Sequence, residues 1–394
     1  MKKWFFELGI ISLLVLVSSL IVWLPFSLGL MGNGMFSVFA NYDGPNYLVI
    51  AKTLYDKALI SATFSLPIPT EYYPAHLPAY PLLIRLFNSF LPGPWAMLTV
   101  TILSTIFAVS FFYLLLKKFH LSTNPLWLSI CFLFLPARWQ VVRTIGSPEP
   151  LFIGCLLASF YFFKSAFDKP ENNLIFKKKS IMLDLLLAGI FGAIAQITKS
   201  PGILLFVSYE LYLIIKILSE KKEKLHLNDI YHLSIYSLPL LLIPLSALLV
   251  FTFYLKQTGD FFAYFHSGDN FHLVFPPFQS FITGRNWIGD FWLEDMIYVY
   301  LFGALTVVLL IKQKLYDLAT FALVFFTVTL FVAHRDLARY SLPLMPFSLI
   351  AFSKFLETKE FKIVFFFMLI PIFLYTINFI LNNVAPIADW TPYL

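Results

Sequence analysis

The chain alternates between long apolar runs and short polar segments along most of its 394 residues. A helix needs a run of ~20 apolar residues to cross a hydrocarbon core ~30 Å thick. By this criterion the pattern predicts about eleven spans, at 8–30, 94–116, 124–137, 147–166, 181–199, 201–217, 233–255, 297–311, 318–333, 340–353 and 362–381. We therefore expect an all-α, polytopic transmembrane helical bundle that forms a single domain over residues 1–394.

Two of the polar segments, 31–93 and 256–296, are too long to be simple connectors. Loops of this size usually carry function or structure of their own. In the first loop, the run Asn41–Pro45 predicts a turn and a helix start, and the following amphipathic stretch is expected to lie along the membrane interface. A second apolar stretch, Leu77–Leu91, contains Pro78 and Pro81 and is too short to cross, so it is expected to re-enter or lie flat.

Lysine and arginine are distributed differently over the loops. With the N-terminus in the cytoplasm, most lysines fall in short cytoplasmic loops, as the positive-inside rule requires. All the arginines then lie on the opposite side, namely Arg85, Arg138, Arg143, Arg285, Arg335 and Arg339. Chance could produce this bias in so small a set, but the planar guanidinium group suits bidentate binding of phosphate or carboxylate. We therefore expect a phosphate-binding site on the non-cytoplasmic face, with the C-terminus also external.

Asp43 is the leading candidate for catalysis. It follows the first span at a predicted helix start, where Asp is also a favoured N-cap. A carboxylate at a helix N-terminus stays ionised, so the two roles are compatible. Asp43 could therefore act as a general base, as a cap, or as both.

Basic residues near the external ends of the spans are candidates for binding a donor phosphate. They are Arg138, Arg143, Lys199, Arg335 and Arg339. Arg335 and Arg339 have the i, i+4 spacing that would place them on one face of a helix. Arg138 and Arg143 could instead form an ion-paired loop with Glu149.

Aromatic rings beside acids and imidazoles can form a platform for a sugar ring, since pyranose faces stack on aromatics. The run 71–81 has this composition, and the candidate substrate-binding residues are Tyr42, Glu71, Tyr73, His76, Glu149, His266, His334 and Tyr340. An interfacial aromatic belt is the alternative interpretation. His266 and His272 lack a recognised metal-ligand spacing, so no metal site and no cofactor is predicted, with a divalent metal left open. The sequence contains no Walker A, G-x-G-x-x-G, C-x-x-C or G-x-S-x-G motif, which argues against nucleotide-phosphate and serine-hydrolase chemistry.

Several short motifs resemble those of the PIG-V-like mannosyltransferases, a family of the GT-C superfamily of membrane glycosyltransferases. The segments that carry this resemblance are, in order, Tyr42–Ala51, Tyr73–Pro81, Ser147–Phe152, Gly192–Gly202, Asp260–His266 and Arg339–Pro343. They extend over nearly the whole chain. Tyr42 stands where the family usually has Trp, Asn46 where His is common, and Lys199 where Arg is usual.

The resemblance implies an inverting glycosyltransferase that uses a polyprenyl-phosphate sugar as donor, with Asp43 as the essential acid. It also implies that Glu149, Lys199 and Arg339 lie near the active cavity. We expect transfer of a hexose, mannose in the first instance, to a hydroxyl of a glycan, lipid or protein acceptor at the cell membrane. Membrane lipids are expected partners and nucleic acid is not. The alternative is a transporter or flippase of a lipid-linked sugar, which would favour inverted repeats and mid-membrane polar residues that the sequence lacks.

Overall fold

The computed structural model describes residues 2–168, 174–220, 227–268, 272–282 and 290–394. Its helices in chain order are α1 (Lys2–Ser27), α2 (Met35–Phe39), α3 (Gly44–Thr53), α4 (Lys57–Thr63), α5 (Ala79–Phe87), α6 (Gly93–Lys118), α7 (Pro125–Phe134), α8 (Ala137–Val142), α9 (Glu149–Phe167), α10 (Leu174–Thr198), α11 (Ile203–Glu220), α12 (Leu227–Leu240), α13 (Leu242–Thr258), α14 (Ala263–His266), α15 (Asp290–Lys312), α16 (Tyr316–Phe331), α17 (Leu337–Tyr340), α18 (Met345–Ala351), α19 (Ser353–Leu356) and α20 (Lys359–Asn382). Short 3₁₀ turns cover Thr70–Ala75, Ser200–Gly202, Gln279–Phe281, Leu342–Leu344 and Thr391–Tyr393. The predicted all-α class is confirmed.

Eight helical segments of the described chain are long and apolar enough to cross a membrane. They coincide with eight of the predicted spans, but the count of eleven is not confirmed. At 1.5 Å per residue, the ten residues of α7 reach only about half of a ~30 Å core, and α16 is also short. The predicted span 340–353 is divided among α17, a 3₁₀ turn, α18 and α19, because Pro343 and Pro346 fall within it.

The most buried long helix is α9, which packs against α6 and α10. Close approach depends on a glycine at the contact of α9 with α6 and on another at the contact of α10 with α12. A Cβ added at Gly154 would lie 2.6 Å from the Phe107 ring, and one at Gly189 would lie 2.2 Å from the carbonyl oxygen of Pro239. Membrane helices pack closely where small residues face a neighbour, because burial of apolar surface gives little advantage within lipid.

The first long loop is folded onto this bundle. Helix α3 packs against α5 and α6, and its residues Tyr47, Leu48, Val49 and Ile50 are buried. This stretch is therefore packed against the bundle, and its expected position along the membrane interface stays a prediction. Helix α5, in contrast, exposes Leu82 and Leu86 and is nine residues long, too short to cross.

The C-terminal tail lies on the same side as the first loop. Ala385 N donates a hydrogen bond to the carbonyl oxygen of Ala40 (2.8 Å), and Gly93 N donates to that of Leu394 (3.3 Å). The ring of Trp390 lies 5.0 Å from that of Phe36, centroid to centroid. The tail therefore anchors the segment that leads into α3.

Candidate active site

A cavity of about 350 Å³ lies where the first loop meets the α10–α11 turn, the end of α16 and α17. This volume falls within the usual range for small-molecule sites. Its polar lining includes Asp43, Tyr47, Tyr72, His76, Lys199, His272, Arg339 and Tyr340. Its apolar wall includes Ile203, Leu204, Phe325, Val328 and Val332, from α11 and from the end of α16 and its continuation.

Asp43 precedes α3, in a turn closed by a hydrogen bond from Gly44 N to the carbonyl oxygen of Asn41 (3.1 Å). Its side chain makes no capping hydrogen bond, so the helix-cap interpretation is wrong. Instead, Oδ1 lies 3.6 Å from His76 Nε2, and Oδ2 lies 3.6 Å from Arg339 Nη1. The carboxylate is 31% exposed and lines the cavity.

The pKa of Asp43 reflects opposing influences. Burial alone would raise it, but the hydrogen bond and charge of His76, together with the charge of Arg339, lower the pKa to about 2. Asp43 is therefore ionised at neutral pH and able to accept a proton.

Glu149, the first residue of α9, holds two cations at the cavity. Its Oε1 lies 2.6 Å from Arg339 Nε and 2.5 Å from Lys199 Nζ, and its Oε2 accepts a hydrogen bond from Ser147 Oγ. Only 2% of the Glu149 side chain is exposed. A charge buried to this degree must be paired, because removing it from water costs several kcal/mol.

Asp43, Glu149, Lys199 and Arg339 form what we call the charged cluster, in which two carboxylates balance two cations. Burial and the charge of Arg339 lower the pKa of Lys199 from its ordinary value, and Glu149 opposes this shift. Burial works against the charge of Arg339 as well, but Glu149 and Asp43 outweigh it and raise the Arg339 pKa. The cluster is thus neutral overall, with its cations fixed by carboxylates.

One wall of the cavity is aromatic. The His76 ring meets Tyr47 and Tyr72 edge to face, with centroids 5.0 Å and 5.2 Å apart. Across the cavity, His272 and Tyr340 have ring centroids 5.7 Å apart. The predicted aromatic platform, the run 71–81, contains Tyr72 and His76, and Tyr340 is a predicted substrate-binding residue, whereas Tyr47 and His272 are not predicted to bind substrate. Tyr47 could have been found, because it lies one helical turn after Asp43.

His334 lies behind this wall and does not line the cavity. Its ring packs against His272 and Tyr340, at centroid distances of 4.4 Å and 5.0 Å. Burial, followed by the charge of His272, lowers the pKa of His334 to about 4. His334 is therefore a neutral packing partner of the two lining rings.

Arg143 does not line the cavity, so the cavity gives no support to the prediction that it binds the donor phosphate. It is fully buried, and it donates hydrogen bonds to the Leu133 carbonyl oxygen and to Ser18 Oγ (both 2.9 Å). It therefore ties the end of α7 to α1. Arg138 does not line the cavity either, because its guanidinium pairs with Asp336, Nη2 to Oδ1 at 3.1 Å.

The structure places the side chains of residues 71–73 differently from the sequence prediction. Glu71 is exposed and pairs with Lys57 (3.1 Å), while Tyr73 is buried outside the cavity lining. In this 3₁₀ turn the neighbouring Tyr72 points into the cavity instead. The cavity therefore gives no support to the predicted substrate-binding roles of Glu71 and Tyr73.

Two further predicted residues also lie away from the cavity. His266 is exposed and pairs with Asp260, Nδ1 to Oδ2 at 2.6 Å. Arg335 is exposed and precedes α17, so it does not share a helical face with Arg339. The external Arg285 and Asp269 lie outside the described residues. Among the residues that are described, no three His, Cys, Asp or Glu side chains group as metal ligands would.

Comparison with known proteins adds to this picture. The family described as dolichyl-phosphate-mannose-protein mannosyltransferase matches residues 91–279, just under half of the chain. No curated protein sequence matches. The matched family differs from the PIG-V-like family, whose resemblance rests on the motifs above.

Two solved structures of the oligosaccharyltransferase of Archaeoglobus fulgidus share the fold. One, in complex with an inhibitory peptide and a dolichol-phosphate, has a TM-score of 0.56 and 13% identity and covers 99% of this chain. The other, tethered to an acceptor peptide, has a TM-score of 0.55 and 12% identity and covers 96%. This chain spans 57% and 56% of those chains, or little more than half of their length.

A structure of the S. cerevisiae protein O-mannosyltransferase complex bound to its sugar donor also matches, at 17% identity. The aligned region covers 71% of this chain and 37% of the yeast chain. Its TM-score of 0.39 is too low to establish a shared fold. The archaeal structures and the family match agree with the all-α bundle and with the resemblance found in the sequence. The chain is an integral, multi-pass membrane protein that shares the fold of the archaeal oligosaccharyltransferase, and its residues 91–279 match the dolichyl-phosphate-mannose-protein mannosyltransferase family.

Proposed function

We propose that this protein transfers a hexose from a polyprenyl-phosphate donor to an acceptor hydroxyl, with inversion at the anomeric carbon. The hexose that we propose is mannose. The observation that carries the proposal is the cavity in which an ionised, partly exposed Asp43 faces Lys199 and Arg339 beside an apolar wall. A base, cations for a leaving phosphate and room for a lipid chain are the parts that this reaction requires.

In the proposed reaction, Asp43 accepts the proton of the acceptor hydroxyl as its oxygen attacks C1 of the sugar. The bond between C1 and the phosphate oxygen breaks, and its electron pair leaves with the lipid phosphate. Arg339 and Lys199 stabilise the additional negative charge on that phosphate. Attack from the face opposite to the phosphate inverts C1.

Each remaining part of the cavity has a role in binding. The edges and faces of Tyr47, Tyr72 and His76 offer a stacking surface for the sugar ring. The apolar wall from α11 and α16 faces the part of the cavity where an isoprenoid chain would lie. Holding donor and acceptor together in this way removes the entropic cost of their encounter.

The charged cluster also explains how Asp43 gains strength as a base. A carboxylate with a pKa of about 2 is weakly basic in the empty site. The phosphate of a bound donor places a negative charge beside Arg339 and competes with Asp43 for it. Both effects raise the pKa of Asp43 when the donor is in place.

The identities of the substrates rest on the relatives. The matched family is described by its dolichyl-phosphate-mannose donor and protein acceptor, and one archaeal neighbour contains a dolichol-phosphate. We therefore propose a polyprenyl-phosphate mannose donor and a serine- or threonine-containing polypeptide acceptor, with glycan and lipid acceptors as the alternatives.

Reconstituted protein tests this proposal. The full chain in lipid nanodiscs receives polyprenyl-phosphate [³H]mannose and a Ser/Thr-rich peptide, and polyprenyl-phosphate glucose serves as the competing donor. The proposal requires that label passes to the peptide and that the released lipid phosphate matches it in amount. Transport of the labelled lipid across a liposome membrane, without transfer, would instead establish a flippase.

The dependence of the rate on pH is a second expected result. kcat/KM reports the free enzyme, in which Asp43 loses a proton already near pH 2, so it should stay flat on the acid side while the protein remains folded. kcat reports the donor complex, in which the pKa of Asp43 is raised. Its acid limb is therefore expected at higher pH. Coincident acid limbs in the two profiles would contradict donor-induced strengthening of the base.

The orientation in the membrane is a third expected result. We propose a cytoplasmic N-terminus and an external C-terminus, with residues 1–394 as one domain at the cell membrane. The lysine bias and the contact of the tail with the first loop support this arrangement, and one hydrophobic core extends from Ile11 to Tyr393. A topology reporter fused after Leu394 should be active only outside, whereas the same reporter fused after Lys312 should be active only in the cytoplasm. The reverse pattern would contradict the orientation.

A further inference from the structure

Tyr42 adopts an unusual backbone conformation immediately before Asp43. Its φ is +49°, in the left-handed region that favours glycine. A bulky residue persists there only when its surroundings determine the conformation. The structure shows what these surroundings are.

The Tyr42 side chain is held by contacts to its hydroxyl group and by contacts to its ring. Its hydroxyl donates a hydrogen bond to Asp336 Oδ2 (2.8 Å) and accepts one from Arg138 Nη1 (3.0 Å). Its ring centroid lies 5.1 Å from that of Phe379 in α20 and 4.3 Å from Arg339 Cζ. The ring therefore contacts the same arginine that pairs with Asp43 and Glu149.

Arg138 and Asp336 are themselves committed to this network. Arg138 Nη2 lies 3.1 Å from Asp336 Oδ1, and the two side chains are 5% and 13% exposed. Arg138 Cζ also lies 4.3 Å from the centroid of Phe379. None of Tyr42, Arg138 and Asp336 lines the cavity. Any effect that these three residues have on a substrate must therefore pass through the residues that line the cavity.

We propose that Tyr42, Arg138 and Asp336 form a positioning triad that fixes Asp43 through the main chain and Arg339 through the Tyr42 ring. This inference rests on the proposed function and replaces the sequence expectation that Tyr42 and Arg138 bind substrate. The triad draws its members from the segment before α3, from α8 and from the segment before α17. It joins the base and the phosphate-binding cation to one rigid support.

The Tyr42→Phe variant tests the triad, because it keeps the ring and removes only the hydroxyl. Misplacement of a reacting group by ~1 Å lowers rates by up to ~10²-fold, so kcat should fall by about 10- to 100-fold. The donor and the acceptor still meet the same lining residues, so both KM values should change less than about twofold. A rise in the donor KM at unchanged kcat would show that the hydroxyl contacts the donor instead. An unchanged kcat would contradict the proposed triad.

Asp336→Asn and the double variant provide the second test. Residues that act as one unit give non-additive effects, so the double variant should be no slower than the slower single variant. Independent, multiplying losses would contradict a shared network. The matched control is Tyr209→Phe, since Tyr209 is also buried and its hydroxyl bonds to Ser159 (2.9 Å) at a distance from the cavity. This control should leave kcat and KM unchanged.

A measurement without turnover separates this inference from the proposed function. The carboxylate infrared band that disappears in Asp43→Asn reports the protonation of Asp43. Tyr42→Phe should raise the pKa of Asp43 towards its ordinary value, because Arg339 is held less firmly beside it, and Tyr209→Phe should not. If the wild-type protein transfers no mannose, the proposed function fails, and this pKa comparison still decides the triad. An Asp43 pKa in Tyr42→Phe equal to that of the wild-type protein would overturn the triad.

Discussion

Replacing Asp43 by Asn is expected to lower kcat by ~10²–10⁴-fold, because an amide cannot accept the acceptor's proton at neutral pH. The substitution keeps the shape of the side chain and the turn before α3. It also removes one partner of Arg339, which retains Glu149 at 2.6 Å, so the loss of folding free energy should be modest, about 1 kcal/mol. Donor binding should survive. Transfer of [³H]mannose by the nanodisc-bound protein measures the rate, and retention of labelled donor measures the binding.

Asp56→Asn is the matched control for this experiment. Asp56 lies in the same loop and caps α4, accepting a hydrogen bond from Leu59 N (3.0 Å). Because Asn caps as well as Asp, this variant should keep both stability and activity. Near wild-type turnover in Asp43→Asn would exclude Asp43 as the base, and Glu149 would be the remaining carboxylate of the charged cluster.

Replacing Arg339 by Lys is expected to lower kcat/KM by about 10²-fold, although the charge is preserved. Arg339 presents Nε to Glu149 and Nη1 to Asp43, and a single ammonium cannot reproduce that fork. Arg339→Ala should cost more and should also destabilise the fold by about 3 kcal/mol, because Glu149 then keeps only Lys199 as its cation. Steady-state transfer assays and thermal unfolding measure these two effects.

The neighbouring Arg335 supplies the control for Arg339. Its side chain is exposed and does not line the cavity, so Arg335→Ala should leave transfer and donor binding unchanged. Full donor binding and turnover in Arg339→Ala would remove Arg339 from the site. A loss in Arg335→Ala as large as that in Arg339→Lys would indicate a general effect of external charge instead.

Several residues that the sequence predicted for the site are brought together at the candidate cavity. Asp43, His76, Lys199, Arg339 and Tyr340 all line the cavity, and the buried Glu149 holds two of them. Lys199, Arg339 and Tyr340 could be found because they lie at the ends of apolar runs, and Asp43 and His76 because they lie in segments that resemble the family motifs. The segments that resemble the family motifs follow one another in the same order as in that family.

Roles that depend on side-chain direction could not be found in this way. Arg138 and Arg143 have the same residue type and the same setting in the sequence, but one supports Tyr42 and the other ties α7 to α1. Tyr72 lines the cavity and Tyr73 does not, because a 3₁₀ turn directs adjacent side chains differently. One-dimensional patterns contain no information on these directions.

What the sequence by itself determined is a membrane-embedded, all-α chain, since a hydrocarbon core imposes run length and helical hydrogen bonding on any span. What only the tertiary structure decided is which charges meet. Asp43, Glu149, Lys199 and Arg339 are separated by up to hundreds of residues in the sequence, and they are brought together by the packing of α3, α9, α10 and α17. Ion pairing in a buried site depends on distances of a few ångströms, and such distances are set by helix packing rather than by composition.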